Sequence, residues 1–559
     1  MSMANITSFW KGKGAKNDIE NERGIFILNV LRMIKDKLIY NDIKKVLLMS
    51  DSQVGGRNEF SLRNHLFLIY SCLNSANQNE SPPIDIHLYD LTKYLTKCFD
   101  GLWLEECCNN LFEAGVVDDK LAMIYEGNCI NQVAVKTPAG LTERRVVERI
   151  VTQGGVTGPV CCAVQTDKIG KEALEQDKHL YMYKGEVGIP TLAMIDDIAK
   201  ISECGTPAVL DNAYINSKIE QTKQLFNGSK CHTVHAGKQI RPCCKLSAHE
   251  TRMESVKEEK YVGDIITSDG RHTKNVDARR SKGMGIISEI VSVLDGLYLG
   301  AHYFTTALMM RQCMLLSVLL FNSETWLRLT QRDLAKLERI DRLFLRRIFH
   351  VPNSTPIPFL YLETGCVPIR YVMKMKRVMF LHYILTRRED ALILRAFKAQ
   401  LRKPAKGDWC IVVREDLQAL GLGHLTFDDI RNLTKEALHS LLKTRIRETA
   451  FSELLVDKAN CSKLKLLKYT RLEFQPYLAS ESNLTNKLKR LLFRWRSRTI
   501  NVKQNLGKKD AKCPLCKRYD DTQYHLLTCE KLSLPKPWNI ESVMAAIRQR
   551  ELLLEEENK

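Results

Sequence analysis

Asp196 and Asp197 stand side by side between two short apolar runs, in Ile189-Pro-Thr-Leu-Ala-Met-Ile-Asp-Asp-Ile-Ala-Lys-Ile-Ser-Glu203. Carboxylates are the ligands that hard divalent cations such as Mg²⁺ prefer. The apolar flanks are too short for an ordinary helix, so the spacing predicts a β-hairpin with the acids at its tip. Three further Asp-Asp pairs, at 118–119, 428–429 and 520–521, have flanks that read as solvated loops or helix starts. A second constellation lies near the C-terminus, where Cys513, Cys516, His525 and Cys529 follow the pattern C-x2-C-x8-H-x3-C. Three thiolates and an imidazole form a tetrahedral set for Zn²⁺, and a unit this small depends on its metal to fold. The alternative is reduced cysteines around a small core.

The elements that position these residues can be read along the chain. Residues 10–24 are basic and glycine-bearing. Lys11, Lys13, Lys16 and Arg23 supply charge there, and Gly12 and Gly14 let backbone approach an anion. A solvated surface loop is the alternative. An apolar run with helical spacing follows from Ile25 to Ile43, then a second glycine turn, Asp51-Ser-Gln-Val-Gly-Gly-Arg57, before a helix over 62–73. Ile84-Asp-Ile-His-Leu-Tyr-Asp90 alternates as a strand that ends in Asp90. A helix is expected over 102–114, and strand-forming residues over 133–147 surround the turn Pro138-Ala-Gly140. Val151-Thr-Gln-Gly-Gly-Val-Thr-Gly-Pro159 then leads into a helix over 160–174, with Pro159 in the first turn, where its missing N–H is not needed.

Length and charge bound the class. The chain has 559 residues, enough for about three or four domains, and its 44% hydrophobic content supports real cores. A net charge of +19 favours a polyanionic partner, nucleic acid foremost. The most apolar stretch, Cys313 to Phe321, lies between Arg311 and Glu324. It is far below the roughly 20 residues a spanning helix needs, so no membrane partner is expected. The first eleven residues lack a signal-type apolar core, and the 18 cysteines are expected as reduced thiols in an intracellular protein.

Taken in order, these pieces resemble the reverse transcriptase of non-LTR (LINE-type) retrotransposons, of the invertebrate kind. Asn21-Glu-Arg-Gly-Ile-Phe-Ile-Leu-Asn-Val-Leu31 is similar to that family's finger motif, and Gln53 to Arg57 to its Gln-x-Gly-x-Arg turn. Leu88-Tyr-Asp90 with Lys97-Cys-Phe-Asp100 resembles the first catalytic motif, 151–159 the template-grip and nucleotide motif, and Ala193-Met-Ile-Asp-Asp197 the second catalytic motif. Lys230-Cys-His-Thr-Val-His-Ala-Gly-Lys238 and Tyr261-Val-Gly-Asp-Ile-Ile-Thr-Ser-Asp-Gly270 resemble the lysine-bearing motif and the primer-grip turn. The match in order runs over roughly residues 10–380. It implies an α+β right-hand polymerase of fingers, palm and helical thumb, followed by a helical connector and a small zinc knuckle. The boundaries expected are 1–270 for fingers and palm, 271–350 for the thumb, 351–480 for the connector, 481–535 for a basic helix with the knuckle, and 536–559 for a helical tail.

The resemblance also implies the roles. Asp90 and Asp196 would bridge two Mg²⁺ ions with Asp197 supporting them, and Lys230 would be the general acid for the pyrophosphate leaving group. Arg23, aided by Lys13 or Lys16, would neutralise the incoming triphosphate. Gln153 and Gly154 would meet the templated base pair and the nucleotide, and Phe99 would exclude a ribose 2′-hydroxyl. Partners would be an RNA template, a DNA primer or target and deoxynucleoside triphosphates, in the nucleus. Nothing in the chain resembles an endonuclease or an RNase H, and its start inside the fingers reads as that of a fragment.

Two departures from the family pattern stand out. The first motif runs Asp-x-x-Lys-x-Phe-Asp in the family, whereas here Asp90-Leu-Thr-Lys-Tyr-Leu-Thr-Lys-Cys-Phe-Asp100 contains Leu-Thr-Lys twice, as after a tandem duplication of four residues. Continued as strand, the extra four residues would carry Phe99 about 13 Å further from Asp90, so a looped-out insertion is expected. Met194 also replaces an aromatic, and a methionine can fill such a gap. An active polymerase and a catalytically degenerate, nucleic-acid-binding relic are the two readings. In the C-terminal third, 271–350 is expected to be mostly helical, a further helical block, 366–400, carries Arg370, Lys374, Lys376, Arg377, Arg387 and Arg388, and twelve Lys or Arg face one acid between Lys487 and Arg518. Both segments are expected to contribute to a nucleic-acid face, the alternative for the first being solvated helix charge.

Overall fold

The computed structural model describes residues 2–10, 15, 22–57, 60–91, 104–117, 119–129, 131–137, 139–147, 155–221, 226–238, 246–248, 251–500, 502, 511–532, 545–547, 549, 550 and 552. The fold is mixed α+β and divides into two units. One gathers Met1–Lys274, Thr325–Arg328 and Tyr383–Arg414; the other gathers Asn275–Glu324, Leu329–His382 and Glu415–Lys559. Among the described residues no helix is long and apolar enough to cross a membrane.

The first unit is built on a five-stranded sheet. Its strands are β1 (Ile84–Asp90), β2 (Leu192–Met194), β3 (Asp197–Glu203), β4 (His232–Ala236) and β5 (Glu254–Val256), in the order β5-β4-β1-β3-β2. β1 is antiparallel to both β3 and β4, and β5 runs parallel to β4. The alternation expected for Ile84 to Asp90 is present, yet Asp85 and His87 are as buried as their apolar neighbours. Both faces of this strand are covered, so its polar positions are paired inside the protein. Burial pushes the His87 imidazole down to about 4.

Helices account for both coverings. Helix α1 (Leu62–Asn77) is buried along nearly its whole length, although it carries His65, Ser71 and Asn74. These three have partners within the unit, and leaving one unmade would cost about 1–3 kcal/mol. His65 contacts Ser52 O and Tyr261 Oη, Ser71 Oγ accepts from Gln400, and Asn74 donates to Asp408. Helices α2 (Gly158–Glu175) and α3 (Thr206–Gln221) supply Val160, Cys161 and Ile215 to a core shared with Tyr89 and Ile198. The hairpin of β6 (Glu258–Tyr261) and β7 (Asp264–Thr267) turns at Val262 and Gly263, both at positive φ, the geometry of a tight two-residue hairpin loop. Buried Asp264 ties it down by accepting from Tyr70 Oη at 2.9 Å and Trp326 Nε1 at 3.0 Å.

The apolar run from Ile25 to Ile43 is not one helix. Glu22–Leu28 is a strand antiparallel to Ser2–Trp10, which also pairs in parallel with Asn131–Thr137, and a helix begins only at Val30. Asn29 makes the break: its side chain caps the helix by accepting from the Leu31 N–H at 2.8 Å. Up to that cap, Phe26 and Leu28 point inward and Ile27 outward, a period of two that a helical window overlooks.

The second unit is helical and rich in buried charge. In helix α4 (Gln331–Phe349) the charged position among the apolar ones, Asp341, is fully buried and gripped by Arg311 at 2.6 and 2.8 Å, with Tyr361 Oη at 3.1 Å. Glu363, also fully buried, accepts from Arg496 at 2.8 and 2.9 Å, Tyr469 Oη at 2.5 Å and Tyr477 Oη at 2.7 Å. Removing one partner of such a group costs about 3–5 kcal/mol. Glu363→Ala is therefore expected to lower stability by that amount, measured as the shift in denaturant midpoint.

Several basic residues expected at a nucleic-acid face are used internally. Arg370 pairs with Glu338 and Glu453, Lys374 and Arg377 with Asp416, and Lys376 with Glu324. In the first unit, Arg387 lies over the Tyr383 ring, whereas Arg388, which pairs with Asp51 at 3.5 Å, stays 73% exposed and available. Asp521, expected to be solvated, is buried and paired with Arg550. Asp428 and Asp429 do begin a helix, where Asp429 completes a capping box with Thr426.

Candidate active site

β1 and β3 are in register with Asp90 opposite Asp197 and Tyr89 opposite Ile198. Tyr89 and Ile198 belong to the core shared with α2 and α3. Side chains alternate along a strand, so the next pair, Asp90 and Asp197, points to the other face of the sheet. Two carboxylates directly opposite one another repel, and a cation between them removes that cost. Lys230, 61% exposed, sits at the end of a short helical turn before β4 with its Nζ 4.0 Å from Asp90 Oδ2. Its neighbours fix the strand end: the Asn227 N–H donates to Asp90 O at 2.8 Å, the Asp90 N–H donates to Cys231 Sγ at 3.4 Å, and Leu91 bridges to Phe226.

Asp196 lies in the turn between β2 and β3, next to Ile195, whose φ is 59°. A β-branched residue in the left-handed region is strained and persists only where its surroundings hold it. Gln53 does much of the holding. Its Oε1 accepts from the N–H groups of Ile195 at 3.0 Å and Gly55 at 2.8 Å, and its Nε2 donates to Thr166 Oγ1 at 2.7 Å. Thr166 in turn donates to Ile195 O at 2.6 Å. Residues 52–54 also run beside Ala193 as a parallel bridge. A Cβ on Gly55 would meet Ile195 Cγ1 at 2.5 Å and Ile195 N at 2.7 Å. Gly55→Ala is expected to destabilise the protein by about 1–3 kcal/mol, the usual cost of overpacking, and to displace the acid-bearing turn, read as a lower melting temperature.

The Gln53 turn was legible as a motif; Thr166 was not, since a lone threonine inside a helix carries no signal for a partner 29 positions away. Tyr261, in the turn resembling a primer grip, is buried, and burial together with the Asp197 carboxylate pushes its phenol pKa upward. Other expected site residues are not gathered here. Lys13, Lys16, Phe99, Gln153 and Gly154 lie outside the described residues, as does the repeat beyond Leu91. Arg23 pairs with Phe9 as strand backbone, and its side chain is likewise outside the description.

The C-terminal cysteines and histidine come together as a metal site requires. The donor atoms of Cys513, Cys516, His525 and Cys529 all lie within 4.8 Å of one another, and all four residues are buried. Cys516 Sγ is 3.3 Å from His525 Nε2, and Cys513 Sγ is 4.0 Å from Cys529 Sγ. The Tyr519 N–H, helped by the Arg518 N–H, His525 and Cys513, brings the Cys516 thiol down to about 6, while burial raises Cys529 to about 11. This donor set fits Zn²⁺. Among the described residues a second group meets the same distance limit, Asp85, Cys204 and His235, whereas Asp90, Asp196 and Asp197 do not close so tightly.

The basic helix α5 (Asn486–Arg496) ahead of the knuckle is less available to phosphates than its composition suggests. Lys489 is fully buried and donates to Ala479 O at 2.6 Å, Arg490 donates to Ile348 O, and Arg494 donates to His350 O. The last two cap the carboxyl end of α4, where cations complement the helix dipole.

No family model matches the chain, and no curated protein matches it. Among solved structures it is similar to apo telomerase from Candida tropicalis, at 11% identity and a TM-score of 0.33, covering 83% of this chain and 68% of that one. The same enzyme truncated from its C-terminal domain gives 13% identity and 0.31, covering 48% and 54%. Candida albicans telomerase in complex with a TWJ fragment of telomeric RNA gives 10% and 0.36, covering 74% and 66%. The chain thus spans between about half and two thirds of those structures' own length. At these scores the likeness assigns no residue a role.

Proposed function

We propose that the chain is an RNA-directed DNA polymerase of the non-LTR retrotransposon type, adding deoxynucleotides to a primer 3′-hydroxyl. The observation that carries this reading is the pairing of Asp90 with Asp197 across adjacent strands, with Lys230 beside Asp90. These residues come from three distant parts of the chain, and the motif resemblance assigns all three to one site. Asp90 and Asp196 would hold Mg²⁺, with Asp197 supporting. When bound, two such ions supply the Lewis acidity that activates the hydroxyl and neutralises the leaving group. Lys230 delivers a proton to the departing pyrophosphate. Arg23 with Lys13 and Lys16 neutralises the triphosphate, Gln153 and Gly154 meet the nascent pair, and Phe99 selects against ribose. Fingers and palm would occupy 1–270, the thumb 271–350, the connector 351–480, the basic helix and knuckle 481–535, and the tail 536–559.

Primer extension on poly(rA)·oligo(dT) with the purified chain tests the proposal. Incorporation above that of Asp196→Asn is expected, and equal background from both would overturn it. The doubled Leu-Thr-Lys after Asp90 favours a second reading, a relic that binds nucleic acid without copying it. Deleting Tyr94–Lys97 restores the family spacing. On the polymerase reading it raises incorporation, by up to about a hundredfold if the insertion misplaces the reacting groups by 1 Å.

A further inference from the structure

The end of the sheet away from Asp90 holds a cluster that polymerisation does not use. Asp85 is the second residue of β1, Cys204 follows β3 directly, and His235 lies on β4 opposite Asp85. Asp85 is five residues from Asp90, about 17 Å along the strand, and by alternation points to the opposite face. We infer that Asp85, Cys204 and His235 form a second metal site, for a thiophilic divalent cation of the zinc class, clipping three adjacent chain segments together.

The geometry favours a cation over a simple hydrogen-bonded cluster. Asp85 Oδ1 lies 2.9 Å and Cys204 Sγ 3.3 Å from the same atom, His235 Nδ1. A ring nitrogen carries either a proton or a lone pair. With a proton it shares one N–H between two acceptors; with a lone pair it faces a carboxylate oxygen it cannot bond. A cation at the centre gives all three groups one partner. Zn–N and Zn–O bonds near 2.05 Å and a Zn–S bond near 2.3 Å place tetrahedral ligands about 3.3 Å (N to O) and about 3.6 Å (N to S) apart. Each observed separation therefore has to open by only about 0.3–0.4 Å. In the C-terminal knuckle the Cys516 to His525 distance is also 3.3 Å, so the two sites hold sulfur and nitrogen equally close.

The supporting backbone is fixed. The Cys204 N–H donates to Pro83 O at 3.0 Å, and Gly237 turns at φ 109°, where an added Cβ would meet Pro83 Cα at 2.9 Å. Asp85 is buried, while Cys204 and His235 are half-buried, which leaves a route for the ion and a place for water as fourth ligand. Binding exchanges the Cys204 thiol proton, released to solvent, for the metal–sulfur bond.

Zinc content of the full chain, purified reduced and dialysed against a weak competing chelator, tests the site without reading polymerase activity. Cys204→Ala is expected to remove about one equivalent, both in the wild-type chain and in a Cys513→Ser background, where the remaining zinc falls close to zero. Cobalt loaded into Cys513→Ser should give a sulfur-to-cobalt charge-transfer band that Cys204→Ala abolishes. His235→Gln provides a second variant, and both are compared at wild-type far-ultraviolet circular dichroism. Zinc content in Cys204→Ala and His235→Gln equal to that of the parent chain would overturn the inference.

Discussion

Asp90→Asn is expected to lower primer extension by about three orders of magnitude while making the metal-free protein slightly more stable. The amide keeps the shape of the carboxylate, so β1 and its pairing with β3 and β4 are preserved. On the polymerase reading, what is lost is a charge that would hold a hard cation, and Lewis-acid stabilisation is worth several kcal/mol. At 1.36 kcal/mol per tenfold, about 4 kcal/mol gives the three decades. The stability term has the opposite sign because Asp90 faces Asp197 directly. Relieving like charges across a strand pair is worth roughly 0.2–1 kcal/mol, and Lys230, largely exposed at 4.0 Å, offsets little of it. Asp197→Asn should stabilise equally, and Asp196→Asn, whose residue lies in the turn, should not. Primer-extension rates and melting temperatures in chelator, measured on the three variants, separate a metal site from a merely structural acid pair.

Removing zinc should unfold the knuckle and leave the rest of the chain folded. Structural zinc contributes an apparent 10–16 kcal/mol or so in modules of this size, far more than the small core around Ile500, Val502 and Leu526 supplies. Chelation or Cys513→Ser should therefore expose the amides of 511–532 to hydrogen exchange, with little change in β1 to β5. The pH dependence follows from the two displaced thiols. Cys516, at about 6, is already a thiolate at neutral pH, whereas Cys529, at about 11, is protonated and must release its proton to solvent as it binds the metal. Apparent zinc affinity should fall at least about tenfold per pH unit from 8 to 6. Below about 6, where Cys516 also takes up a proton, the fall should steepen by about a further tenfold per unit. A competition titration at several pH values measures both slopes.

What could be read in advance was local. The acid-bearing hairpin, the strand ending in Asp90 and the Gly158–Glu175 helix with Pro159 in its first turn all announce themselves within a dozen residues. The knuckle did so through ligand spacing. Misreadings arose where a distant partner decides the environment. Asp521 stands in an acid pair whose flanks read as solvated, yet Arg550 pairs with it in the interior, and Asp341, one charged position among apolar ones, is answered by Arg311. Lys489, Arg490 and Arg494 belong to the segment expected to meet phosphates, but backbone carbonyls from other segments accept their hydrogen bonds. Sequence reports which side chains carry charge; only the fold reports which charges are already answered.

The first unit is threaded from three separated stretches, and this bears on how the chain comes off the ribosome. Helix α1 and the β6–β7 hairpin are made early, yet Trp326, Gln400 and Asp408, which answer Asp264, Ser71 and Asn74, are made late. Between Lys274 and Arg414 lie 140 residues (414 − 274), roughly 7–28 s of synthesis. For that interval Ser71 and Asn74 inside α1 await their partners, so the unit that carries the acids is incomplete as it emerges. Its folding is a late event, and a nascent chain stalled before residue 414 would expose the helix that the finished unit buries.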